Sequence, residues 1–368
     1  TLLTAGANAN LALPSGETVL MTASRSGSPH AARLLVDHGA EVNAREQSHG
    51  QTALMWAVAQ RHADVVATLI ELGADVQMRS DPLPRRIHTR TAGFNPSGVL
   101  DIVQGGYTPM LFAARQGDLD SATHLVAGGA DVNDTAPSGT SALVVAAHGG
   151  HTALAAYLLE QGADPNASEA GYTALHGATL RGDEILVTAL LEAGADRNAV
   201  VVTGSPVRRN SPDYVLEHDV VGATSFWLAA QFSAPGVMRV LADHGADPRF
   251  VMPGGITSLM AAISARRRAE PGLTPNPIEN ERLILDAVRV AIDVGLDVNA
   301  AADNGHTALH TAASRHLDTV VQFLADHGAD VNAWSEDGKT PLMMAVGRGD
   351  AEDNSMVELL RRLGAHGA

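Results

Sequence analysis

From Gly305 to Asn332 the chain reads G-H-T-A-L-H-T-A-A-S-R-H-L-D-T-V-V-Q-F-L-A-D-H-G-A-D-V-N. Leu309, Ala312 and Ala313 recur at helical steps, so they mark one apolar face of a short helix. Thr307 stands just before that face, where a hydroxyl takes an orphan backbone N–H of the first turn. Val320, Val321, Phe323 and Leu324 repeat the period and predict a second helix. Gly328 then falls where the chain must turn left-handed, which glycine does at least cost. Ala329 to Asn332 begin an extended finger. The small alanines of the first helix let neighbouring helices approach closely. The same pattern returns from Gly139 to Asn166 and from Gly171 to Asn198.

These residues resemble the ankyrin repeat, whose signature is T-P-L-H-x-A with a G-A-D-V-N close. The resemblance runs along nearly all 368 residues. It implies an all-α ankyrin-repeat solenoid of helix-turn-helix units joined by β-hairpin-like fingers. One such unit cannot bury its apolar face alone, and stacked units share a continuous core. The chain opens on a half unit, 1–13, closed by Gly6-Ala7-Asn8. Full units then begin near the finger glycines Gly16, Gly50, Gly106, Gly139, Gly171, Gly222, Gly255, Gly305 and Gly338, giving nine units over 14–368 in one array. The opening half unit leads us to expect further sequence upstream, such as a first helix and an export signal.

Three steps between these glycines exceed the usual repeat of about 33 residues, by about 23, 18 and 17. The insertions fall at about 79–105, 200–221 and 264–280. The first two enlarge fingers, and the third separates the two helices of its unit. Insertions in repeat arrays collect on one face and often bind. The first carries Arg85, Arg86, Arg90, His88 and Phe94, then an apolar run, Val99, Leu100, Ile102 and Val103. The second carries Arg208, Arg209 and Tyr214, and the third Arg266, Arg267 and Arg268. We expect the two finger insertions to meet as a partial roof over the units between them, with Arg85, Arg86, Arg208 and Arg209 near its rim. These arginines either fork anions of a partner or tie the loops to the chain's own acidic surface.

Charge and composition narrow the partner. Asp and Glu number 41 against 25 Lys and Arg, for a net charge of −16. That balance argues against nucleic acid and anionic membranes. No apolar run approaches the roughly 18 residues of a membrane span. Cysteine is absent, which removes disulfides, thiolate catalysis and thiolate metal sites. The 16 histidines have positions in the repeat that explain most of them, and no pair has a recognised metal spacing. No cofactor, metal or catalytic signature stands out.

Aromatic and basic residues at variable repeat positions supply the candidate contacts. Tyr107 and Tyr172 precede capping threonines and are expected to be exposed on the groove. Arg115 and Arg181 end first helices, and Phe232 lies near such an end. Trp56 and Trp227 sit within first helices and either anchor a partner or pack beneath neighbouring insertions. The array is therefore read as a non-enzymatic scaffold, monomeric, that binds a protein partner with an acidic segment on its concave groove and fingers. The alternative is a small anionic or carbohydrate ligand held between the finger insertions. The enlarged loops also resemble those of long bacterial ankyrin-repeat proteins, which implies a periplasmic or secreted setting.

Overall fold

The computed structural model describes residues 2–88, 99–204, 216, 218–265, 276–346 and 355–366. Among them eighteen α-helices form nine consecutive pairs. The first four pairs are Val19–Arg25 (α1) with Pro29–Asp37 (α2), Ala53–Ala59 (α3) with Ala63–Glu71 (α4), Pro109–Gln116 (α5) with Leu119–Ala127 (α6), and Ala142–Gly149 (α7) with Thr152–Glu160 (α8). Ala174–Arg181 (α9) pairs with Glu184–Glu192 (α10), and Ser225–Gln231 (α11) with Pro235–Asp243 (α12). Ser258–Ile263 (α13) and Pro277–Asp293 (α14), Ala308–Ser314 (α15) and Asp318–Asp326 (α16), and Pro341–Val346 (α17) and Ser355–Arg362 (α18) complete the series. Leu83–His88 (β1) pairs antiparallel with Val99–Gln104 (β2), and Val251–Met252 (β3) with Ile256–Thr257 (β4).

The helices fall into two compact units. The first comprises Thr1–Ala178, Glu192–Ala195 and Thr203–His218; the second comprises Thr179–Leu191, Asp196–Val202 and Asp219–Ala368. Within the first, α1, α3, α5 and α7 pack in succession, and so do α2, α4, α6 and α8. Within the second, α11, α13, α15 and α17 form one row and α12, α14, α16 and α18 the other. The predicted apolar faces are the cores of these rows. Leu309, Ala312, Ala313, Val320, Val321 and Leu324 are fully buried. Phe323 differs: it is half-buried, with the Arg289 guanidinium 4.9 Å from its ring centre. It lies on the flank of α16, where a long side chain covers an aromatic face instead of the core.

Glycine closes the second helices as the pattern predicts, with φ of +87° at Gly162, +90° at Gly194 and +90° at Gly328. The asparagine that follows each close then binds the next unit. Asn133 donates from Nδ2 to the Gly162 carbonyl (3.1 Å) and accepts from the Asp164 N–H (2.7 Å). Asn299 does the same with Gly328 (2.9 Å) and Asp330 (2.8 Å). These rungs satisfy the last carbonyls of one unit with the side chain of its neighbour.

Histidine and tryptophan make a second kind of rung. His310 Nδ1 accepts the Thr307 backbone N–H (3.2 Å), so its proton sits on Nε2, which donates to the Lys339 carbonyl (3.1 Å). The Thr307 hydroxyl also lies 3.0 Å from that Nδ1. His176 takes the Thr173 N–H in the same way (3.1 Å). In other units the capping hydroxyl accepts the backbone N–H of the third helical residue, as Thr52 does from Met55 and Ser141 from Val144.

The insertions differ in form. The expected first loop contains the β1–β2 hairpin, whose alternating residues supply two ladder strands. The third is shorter as a loop than the 264–280 span implies. Pro277 opens α14, and Asn276 caps it by accepting the Ile278 N–H at 3.0 Å, so 277–280 are helical. That helix has 17 residues where its counterpart α16 has nine. Arg90, Phe94, Arg208, Arg209, Tyr214 and Arg266 to Arg268 lie outside the described residues, as does the expected meeting of the two finger insertions.

Candidate functional site

In the first unit a cleft of about 380 Å³ opens at the base of the β1–β2 hairpin. Its walls are the preceding finger (His49, Gln51), the root of the hairpin (Asp81, Leu83, Arg85, Gln104) and Tyr107 with one face of α5 (Phe112, Arg115). Each wall is fixed by local chemistry. Glu46 is buried and its carboxylate accepts the N–H groups of Ser48 (2.6 Å), His49 (2.8 Å) and Gln51 (3.1 Å), which folds the finger around it. Burial pushes that carboxyl up, but the three N–H donors outweigh it and hold the group below its ordinary value. At the hairpin root, Ser80 donates its N–H to the Tyr107 carbonyl (3.0 Å) and its hydroxyl accepts the Tyr107 N–H (3.0 Å).

Tyr107 is half-buried, and its ring meets Phe112 edge-on with centres 5.9 Å apart. Together they form an apolar floor with the geometry aromatic pairs prefer. Most nearby cations are neutralised. Arg45 binds Asp81 at 2.6 Å, Arg79 binds Asp134, and Arg86 grips Asp101 through two bonds of 2.7 and 3.1 Å. Asp101 and Arg86 each hold the other charged through this pair. Arg85 instead donates to neutral Gln104 at 2.7 Å and makes no ion pair among the described residues. Arg115 is exposed in the last turn of α5 and makes no ion pair among the described residues. The cleft thus presents two guanidiniums without an ion pair among the described residues, beside an aromatic floor.

The residues singled out from sequence divide accordingly. Tyr107, Arg115 and Arg85 meet in this cleft, and Arg86 stands on the opposite face of the hairpin. Tyr172 does not have the expected exposure: it is 8% exposed, and burial pushes its phenol pKa up. Its ring packs 5.9 Å from His148, because the residue before a capping threonine points inward here. Trp227 is 6% exposed, and its Nε1 donates to the Ile256 carbonyl at 3.2 Å. That bond is the one His310 makes to Lys339, so Trp227 serves the inter-unit frame and is not a free anchor. Trp56 is half-buried beneath the Arg25 guanidinium, 5.1 Å from its ring centre. Arg181 and Phe232 are half-buried residues of the second unit.

Sequence reasoning passed over His49, Gln51 and Gln104, which carry no repeat signal. It also passed over Trp334, which is 64% exposed on the finger before α17. A signal existed: neighbouring fingers place Ala301 and Thr135 at the matching position.

These features define a class: a helix-repeat array in which the residues of the repeated pattern build the frame. A family model described as ankyrin repeats (3 copies) matches residues 1–80, 106–200 and 279–367. The chain belongs to the ankyrin-repeat family. Its residues are 30% identical over 168 residues to the chicken nuclear factor NF-kappa-B p105 subunit, covering 45% of this chain and 15% of that protein. They are 31% identical over 176 residues to mouse ankyrin repeat and SOCS box protein 16, covering 42% and 38%. The crystal structure of the human ASB11 ankyrin repeat domain superposes with a TM-score of 0.55 at 25% identity, over 71% of this chain and all of that one. The chain therefore spans well under half the length of these full-length relatives. Ankyrin-repeat proteins generally mediate protein–protein interaction and are typically non-enzymatic. Nothing in these matches supports the small-ligand alternative or bears on a bacterial setting. No described helix is long and apolar enough to cross a membrane.

Proposed function

We propose that the first unit, acting as a monomer, binds a partner protein through the cleft at the hairpin base. An acidic segment of the partner places a carboxylate on Arg115 and an apolar side chain against Tyr107 and Phe112. The observation that carries this reading is the exposed guanidinium of Arg115, which makes no ion pair among the described residues of a chain of net charge −16, beside Arg45, Arg79 and Arg86, which do. A guanidinium fork suits a carboxylate, and aromatic residues with Arg dominate binding hot spots.

The test is capture of the partner by the full chain with a photocrosslinking residue at position 115, against a control at Thr123 on α6. The dissociation constant of the captured partner is then measured for Arg115→Glu and Tyr107→Ala. Each variant should weaken binding by about tenfold or more, with a marked salt dependence for the arginine. Crosslinking from position 123 alone, or unchanged constants, would remove the cleft from the interface.

A further inference from the structure

We propose that the outer edge of β2 is a docking edge, which takes an extended acidic segment of a partner protein as a third strand. The inference rests on the protein-recognition reading above and adds the mode of binding.

Among the described residues the β1–β2 hairpin is a sheet of two strands, so each has one edge with no strand beside it. The two edges are not equivalent. Pro84 stands opposite Val103 and has no N–H to give. That pair must be a wide, non-bonded one, and the narrow pairs are Leu83 with Gln104 and Arg85 with Ile102. On β1 the outward-facing residue Pro84 therefore offers no donor, which blunts that edge. On β2 the outward N–H and C=O groups belong to Asp101 and Val103. Neither N–H has a partner among the described residues. Val103 is 47% exposed. A lone two-stranded ribbon is marginal in water, and a third strand would strengthen it.

The side chains specify what the added strand carries. On one face of the hairpin, Arg85 reaches across to Gln104 Oε1 and brings its charge to the β2 side. A residue added beside Gln104 on that face meets this cation, so a carboxylate fits there. On the other face, Asp101 already neutralises Arg86, and the neighbour of the added strand is Val103. A β-branched residue fits at that position. The occupant is thus an extended stretch in which acidic and β-branched residues alternate. Main-chain bonds hold it, and the two faces select it.

The experiment uses the full chain and labelled peptides of about eight residues, a usual strand length. The first alternates glutamate with valine, the second replaces glutamate by lysine, and two others carry N-methyl groups on one or the other alternate set of amides. Fluorescence anisotropy gives each dissociation constant. The glutamate peptide should bind about tenfold or more tightly than the lysine one. N-methylation of one set should weaken binding by about tenfold, from two lost hydrogen bonds, and of the other set hardly at all. Val103→Pro removes an outward donor together with the valine side chain that faces the added strand, so it should weaken binding by at least as much while leaving the melting temperature unchanged.

Loss of binding from both N-methylated peptides alike, or from neither, overturns the proposal on the wild-type chain, whatever the proline variant does. So does absence of binding up to about 1 mM peptide, or self-association of the chain that Val103→Pro abolishes. If the glutamate peptide binds, loses affinity with Arg115→Glu and ignores both N-methylation and Val103→Pro, cleft recognition stands and strand addition falls. If it depends on N-methylation and Val103 but not on Arg115, strand addition stands and the cleft reading falls.

Discussion

Replacing His310 with phenylalanine should cost about 2–4 kcal/mol and remove part of the chain's acid sensitivity. The magnitude follows from the bonds lost. His310 is fully buried and ties three groups together: the Thr307 N–H at 3.2 Å, the Thr307 hydroxyl at 3.0 Å and the Lys339 carbonyl at 3.1 Å. Phenylalanine keeps the ring volume and leaves the Thr307 N–H unsatisfied, at about 1–3 kcal/mol, while the Lys339 carbonyl loses one donor, worth about 0.5–1.5 kcal/mol, and keeps the Ser335 N–H at 2.9 Å. The pH dependence has a definite sign. Burial pushes the imidazole pKa down, and His306, stacked at 5.2 Å, adds to this; the bond to Lys339 works the other way. The unfolded chain therefore takes up the proton first. The stabilisation from His310 is complete above its unfolded pKa of about 6.5 and declines as pH falls through it. One such group contributes a slope of at most about 1.4 kcal/mol per pH unit. Urea unfolding of both chains at about pH 7.5 and pH 5.5 measures each term. Equal stability at the higher pH, or an unchanged difference between the two pH values, would refute the neutral, doubly bonded imidazole.

Gly162→Ala should cost about 1–2 kcal/mol through backbone strain alone, since nothing lies within 4 Å of a Cβ built there. Gly171→Ala should cost more in the same thermal melts, because its Cβ would also run into Thr203. Asn133→Ala should lose about 1–3 kcal/mol from two inter-unit bonds, and hydrogen exchange at the Asp164 amide should rise with it.

The frame was legible in the sequence because its physics is local and repeated. Helical spacing of Leu309, Ala312 and Ala313, a capping Thr307 and a closing Gly328 each specify one element within a few residues. The roles of Tyr172 and Trp227 were not legible, since both depend on what the neighbouring unit brings. Tryptophan at 227 reads from sequence as either an anchor or a packed residue, and the carbonyl of Ile256, 3.2 Å from its Nε1, shows the packing that decides it. The hairpin could not be read from its arginines; the clue was Pro84 and the apolar run after Val99, which together suit an edge ribbon. The cleft depends on three segments, His49 to Gln51, Asp81 to Arg85 and Gln104 to Arg115, and no spacing along the chain reveals that they converge.

The division of labour between frame and surface also explains why recognition should lie where we place it. The residues that make the repeat recognisable are consumed by it. Asn133 and Asn299 spend both ends of their amides on the next unit, His310 spends both ring nitrogens, and Trp227 spends its only donor. None can serve a partner without loosening the stack, and exchange of one for a functional equivalent, as tryptophan for histidine, leaves the surface unchanged. Contacts able to vary independently of stability must come from positions that the stack does not use. Around the cleft these are Arg115, whose side chain makes no ion pair among the described residues, and Arg85 and Val103 on a hairpin that the repeat does not require. Specificity carried by such residues can change while the melting temperature stays fixed, whereas substitutions at Asn133 or His310 alter stability first and binding only through it.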